Sequence, residues 1–332
     1  MLTRMMQATA AIQQSVDGYF AVPTSLLVPD ARGGFSIYLK QERGFVLYAK
    51  EDEAFTMRHR MQLRAHGVTQ VFVPAPQHPS FISHRERHFG RVLSDDSLPL
   101  PERARLFYET STEIVKEVFE KKLPRTLKRE TFDRILALVS EGISFLTLEN
   151  SLKTVASLVA HDYHTYSHSL HVFVYSQALL QSYGFDEDSL VQFGLGAMLH
   201  DIGKTFLDAA ILTKPAALTP DEREEVNRHP VFGVGACARM PLSQDAINCI
   251  LFHHEKLDGS GYPCGLRGDE IPLPVRAITI ADIYDALTSN RAYAPARNAF
   301  QVLRIMSSEM RDQLDLDMFR RFVLMLSGAN VL

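Results

Sequence analysis

The stretch Met198-Leu199-His200-Asp201-Ile202-Gly203-Lys204, with an apolar run leading into it, constrains this chain more than any other. Imidazole nitrogen and carboxylate oxygen both ligate borderline and hard divalent metals. Neighbouring residues on a helix diverge by about 100°, given ~3.6 residues per turn, so both can reach one centre only from a buried helix end. Taken alone, a His-Asp pair equally describes a surface hydrogen bond. The rest of the chain decides between the two.

Candidate ligands accumulate beyond residue 160: His161, Asp162, His164, His168, His171, His200, Asp201, His229, His253, His254 and Asp282. The four imidazoles at 161, 164, 168 and 171 recur at helical spacing and share one stripe. That stripe is too polar for a plain core face; it lines a cleft or metal site, with water contact the alternative for His161 and His171. Asp282 lies within Arg276-Ala-Ile-Thr-Ile-Ala-Asp282-Ile-Tyr-Asp-Ala-Leu287. A carboxylate there is costly to bury unless it is paired or faces a cation. His229-Pro230 sits at a helix end, where capping is the alternative. Several imidazoles with two buried carboxylates exceed one four-coordinate structural site and point to two or more ions with open positions.

Bulk properties remove other classes. A net charge of −4 with no polybasic block gives no case for duplex nucleic acid or a membrane surface. Residues 1–16 lack a secretory pattern, and the uncharged stretch 163–184 is too polar for a membrane span. Cys237, Cys249 and Cys264 are scattered and lack metal-ligand spacing, which fits a reducing cytoplasm.

At 332 residues, two domains are the natural expectation. Residues 1–100 read as a small α/β module, with strands at 35–40 and 45–50 joined by Gln41-Glu-Arg-Gly44, a helix at 52–66 and a third strand at 71–73. Arg58, Arg60 and Arg64 on that helix are either a solvated face or an anion contact. A connecting helix fills 101–124 and offers a face for a second copy of the chain. From 125 to 332 every long segment reads as helix, with Gly, Pro and Asp clustered only at the joints. The fold class is therefore mainly α, an all-helical bundle behind a small α/β domain.

The ordered string His168-Ser169, His200-Asp201-Ile-Gly-Lys204, Lys214-Pro215, His229-Pro230, His253-His254-Glu255, Asp258-Gly-Ser-Gly261-Tyr262-Pro263 and Asp282-Ile-Tyr-Asp285 resembles an HD-GYP domain. The resemblance implies an HD-type helical fold and hydrolysis of the bacterial messenger cyclic di-GMP to pGpG, and on to GMP, by metal-activated hydroxide at a dinuclear site. It implies His168, His200, Asp201, His229, His253, His254 and Asp282 as metal ligands, with Asp201 bridging. Asp201 and Lys204 become catalytic, and Lys204, Gly261, Tyr262 and Arg291 substrate contacts. The expected ions are iron or manganese. Some members have a glutamate where this chain has His164, so His164 is an extra ligand candidate and two ions are favoured over three. Ala294 replaces a frequent lysine after Arg291-Ala-Tyr293. That loss motivates the alternative of an adaptor that binds cyclic di-GMP and docks GGDEF-domain partners without turnover.

Overall fold

The structure is a computed structural model and describes residues 17–120, 126–148, 151–159, 167–289 and 297–327, the side chains of 117–120, 153 and 157 excepted. The chain divides into two compact units, Met1–Glu109 and Thr110–Leu332. His161, His164, Arg291 and Ala294 lie outside the described residues.

The first unit contains strands β1 (Tyr19–Pro23), β2 (Ala31–Arg32), β3 (Ile37–Gln41), β4 (Gly44–Ala49), β5 (Ala54–Phe55) and β6 (Gln70–Pro74). Its helices are α1 (Met57–Ala65), α2 (His78–Arg87), α3 (Phe89–Leu93) and the start of α4 (Leu100–Glu120). The order β1-β6-β3-β4 makes one sheet, with β3 and β4 joined antiparallel across a tight turn. Buried residues Val22, Ile37, Val71 and Val73 form its core with Phe20, Phe35 and Phe81. The expected helix at 52–66 begins later: Asp52 has φ +60°, residues 54–55 form β5, and Thr56 caps α1 in a reciprocal box with His59. The side-chain cap, rather than apolar periodicity, sets that start.

Every longer element described in the second unit is helical: α5 (Arg129–Leu146), α6 (Ser151–Val159), α7 (His168–Gln181), α8 (Glu187–Leu199), α9 (Ala209–Leu212), α10 (Pro220–Asn227), α11 (His229–Cys237), α12 (Gln244–Phe252), α13 (Leu273–Thr288), α14 (Ala299–Ser308) and α15 (Leu316–Leu326). Polar side chains fix the starts. Asp186 accepts from Ser189 N–H at 2.8 Å, Ser243 from Ala246 N–H at 3.2 Å, and Thr219 forms a box with Glu222. Helix α7 is buried from Ser169 to Leu180 and packs against α8 and α13. A helix apolar on all sides belongs at the centre of a bundle, and this one carries His168 on its first turn. None of the described helices is long and apolar enough to cross a membrane.

Candidate metal centre

Helix ends deliver the site. Helix α8 stops at Leu199, His200 caps it, and a short 3-10 helix, Ile202–Phe206, turns the chain away. Lys204 therefore reaches the site from a tighter turn than the continued α-helix that its spacing suggests. His229 opens α11, and His253 closes α12 with His254 beside it. Asp282 and Asp285 occupy one face of α13.

These donors fall into two groups, Asp201 with His229, His253 and His254, and His168 with His200 and Asp282; within each, one donor atom per residue lies within 4.8 Å of the others. Asp201 reaches both. Its Oδ1 lies 3.3 Å from His229 Nε2, and its Oδ2 lies 3.6 Å from the Nε2 atoms of both His168 and His200. All seven expected ligands thus converge; five are buried, and His168 and His254 are half-buried, His254 being the most open at 24 %.

Three histidines use one device to aim at the centre. Nδ1 of His200, His229 and His253 donates to the carbonyl oxygens of Ala197, Val226 and Ile250, at 2.6, 2.7 and 2.9 Å. With the proton on Nδ1, each Nε2 presents a lone pair inward. His229 and His253 then face each other Nε2 to Nε2 at 3.1 Å, and His200 and His168 at 3.3 Å. Ring nitrogens opposed at that range need a proton or a metal cation between them. Burial, with His254, His200 and His229 adjacent, holds His253 well below the ordinary histidine range, and burial likewise lowers His254 to about 3. A proton is thus disfavoured as the cation for these two. Asp201 Oδ1 is buried without a hydrogen-bond partner among the described residues, with His229 Nε2 3.3 Å away. Facing lone pairs and an orphaned carboxylate oxygen fit divalent metal.

The acids are held ionised. Burial opposes the charge on Asp201, but the ammonium of Lys204 at 2.6 Å and the surrounding histidines hold its carboxyl well below the usual range. Asp282 behaves likewise, through His168 at 3.1 Å and His254. Burial lowers the proton affinity of His168, yet Asp282 and Asp285 outweigh it and raise the pKa to about 10.

Two contributors escaped the sequence reading. Asp285 accepts from His168 Nδ1 and His171 Nδ1, both at 2.7 Å, so His171 is a buried orienting partner and does not face water. Its signal was available: a second acid three residues after Asp282 on an apolar helix. Asp285→Asn places an amide donor against one of these N–H groups, and the expected loss of metal affinity is about 10–100-fold. Titration of metal-free protein with manganese(II) measures it, and an unchanged affinity would remove Asp285 from the site.

Glu255, 1 % exposed, accepts from the backbone N–H groups of Cys264, Gly265 and Leu266 at 2.6, 3.1 and 3.0 Å. That grip ties down the loop bearing Tyr262, whose ring lies 4.7 Å from that of His254, centre to centre. Gly261 contributes by close approach, not by an unusual backbone angle: a Cβ there would come 2.5 Å from the His254 carbonyl oxygen. The positive φ of +77° belongs to Gly259.

A family model described as HD domain matches residues 153–318, half of the chain, and the chain belongs to that family. Within it, the His-Asp pair and the Gly-Tyr-Pro loop make it an HD-GYP protein. The cyclic di-GMP phosphodiesterase PA4108 of Pseudomonas aeruginosa is 38% identical over 192 residues, 56% of this chain and 45% of that protein. A 3′3′-cGAMP-specific phosphodiesterase of Vibrio cholerae is 35% identical over 156 residues, 47% of this chain and 34% of that one. A cyclic di-GMP phosphodiesterase of Thermotoga maritima is 35% identical over 154 residues, 45% of this chain and 42% of that one. The matches thus span less than half the length of these relatives. Among solved structures, Bd1817, an HDG"Y"P protein from Bdellovibrio bacteriovorus, superposes with a TM-score of 0.63 over 93% of this chain and 100% of that one. At 19% identity this likeness shows the fold alone.

Proposed function

We propose that this chain hydrolyses cyclic di-GMP to pGpG, and onward to GMP, at a dinuclear centre of iron or manganese. The observation that carries the reading is the convergence of five imidazoles and two carboxylates in two adjoining donor groups, with Asp201 touching both. In it, Asp201, His229, His253 and His254 would hold one ion, and His168, His200 and Asp282, together with Asp201, would hold the other. Mixed imidazole and carboxylate donors suit either metal. Bound divalent ions supply Lewis-acid activation of phosphate and a nucleophile at neutral pH.

The chain's own residues position the substrate. Lys204 places its ammonium at the rim, 32 % exposed and 2.6 Å from Asp201 Oδ2, where it can also hold a phosphate oxygen and stabilise developing charge. Tyr262 keeps its phenol protonated through burial and lies beside His254, so it can donate to a phosphate or base. In the same reading Gly261 lets the loop approach the substrate, and exposed Ser260 and Pro263 offer a GGDEF-type partner its contact. Arg291 is assigned to the substrate by its motif.

Protein loaded anaerobically with iron(II), or with manganese(II), should convert cyclic di-GMP to pGpG, resolved by chromatography. Chelation should stop the reaction and added metal restore it. A parallel incubation with 3′3′-cGAMP tests the base preference. Intact cyclic di-GMP with both metals overturns the reading, and tight binding without cleavage supports an adaptor instead.

A further inference from the structure

The first unit contains a cavity that the metal centre does not use. It measures about 440 Å3 and is lined by residues of that unit alone, among them Arg60, Arg64, Leu98, Glu102 and Arg105. Small-molecule sites occupy roughly 300–1,000 Å3, so its size suits a metabolite.

Its charges can be accounted for one by one. Arg60 is committed to Asp95, and Arg105 lies 3.4 Å from Glu109. Two lining charges are left without an ion pair among the described residues, the exposed guanidinium of Arg64 and the half-buried carboxylate of Glu102. Arg64 follows Arg60 by four residues on α1, so both share the face that lines the cavity. Glu102 stands in the first turn of α4. The lining also includes the apolar side chains of Val68, Leu98 and Pro99. A bare anion would satisfy only Arg64, and a bare cation only Glu102. A ligand carrying both charges satisfies each.

We propose that this cavity binds an amino-acid-like zwitterion, its carboxylate on Arg64, its ammonium on Glu102 and an apolar side chain against Leu98 and Pro99. The anion contact open to the arginines of α1 then falls to Arg64, while Arg60 shapes the wall through Asp95. Such a site would give the module ahead of the metal centre a small-molecule input. The inference is independent of the catalytic reading.

The test is calorimetric titration of the full, metal-free chain with the L-amino acids and with two controls that carry charge of one sign only, succinate and putrescine. Removing metal keeps these probes from being captured at the histidine cluster. Saturable one-to-one binding of an apolar amino acid is expected, weakened about tenfold or more by Arg64→Gln and by Glu102→Gln. His229→Ala should leave that binding unchanged. No saturable heat from any amino acid up to about 10 mM, a weak limit for a specific site, overturns the proposal. So does equal binding of succinate or putrescine, or affinity that survives both substitutions. Arg64 is exposed and Glu102 half-buried, and thermal unfolding of each variant verifies that it is folded.

Discussion

Asp201→Asn should lower cyclic di-GMP cleavage by about a thousandfold or more. The wild-type carboxylate meets both donor sets, with Oδ1 facing His229 and Oδ2 facing His168, His200 and Lys204. An asparagine keeps the shape but presents a single oxygen and no charge. Charge stabilisation by a metal pair is worth several kcal/mol, and three factors of ten correspond to about 4 kcal/mol. Steady-state turnover and bound metal per chain should fall together. A variant retaining more than about a tenth of wild-type turnover would sink the bridging role, since that loss is under about 1.4 kcal/mol.

Gly203→Ala should strike stability instead. A methyl at this position would lie 1.9 Å from the His229 carbonyl oxygen and 2.6 Å from Gly233 N. Both are backbone atoms of α11, so no flexible side chain can yield. Overpacking of a tight contact costs about 1–3 kcal/mol, and more where backbone must move. For a unit of this size, ~3 kcal/mol is a fall of roughly 6–12 °C in melting temperature. Calorimetry of the metal-free variant measures it. An unchanged melting temperature would mean that the 3-10 turn and α11 separate freely.

The metal centre was more legible in the sequence than the module ahead of it. Imidazoles and acids planted in apolar helices announce themselves, because nothing but pairing or a cation makes such burial tolerable. His168, His200, Asp201, His229, His253, His254 and Asp282 all arrive where that logic places them. Asp285 and Glu255 were harder to read, because their partners are an imidazole 117 residues upstream and a row of backbone amides. Tertiary geometry, not local pattern, creates both roles. In the first unit, strands β2 and β5 are two residues each and leave no alternation to read. The start of α1 was misplaced because Thr56, not the hydrophobic pattern, begins it.

The histidines of the centre differ in where their orientation is stored. His200, His229 and His253 each take it from a carbonyl three residues earlier in their own chain segment. A loosened helix would carry such a side chain with its aim intact. His168 takes its aim from Asp285, so it is set only once α7 has docked against α13. Three of the five imidazoles are therefore aimed by their own segments, and His168 is aimed by docking. His200 and His168 belong to one donor group, so that group joins an imidazole aimed by its own segment to one aimed by docking. Loosening the contact between α7 and α13 would therefore cost His168 its aim before it cost His200, His229 or His253 theirs.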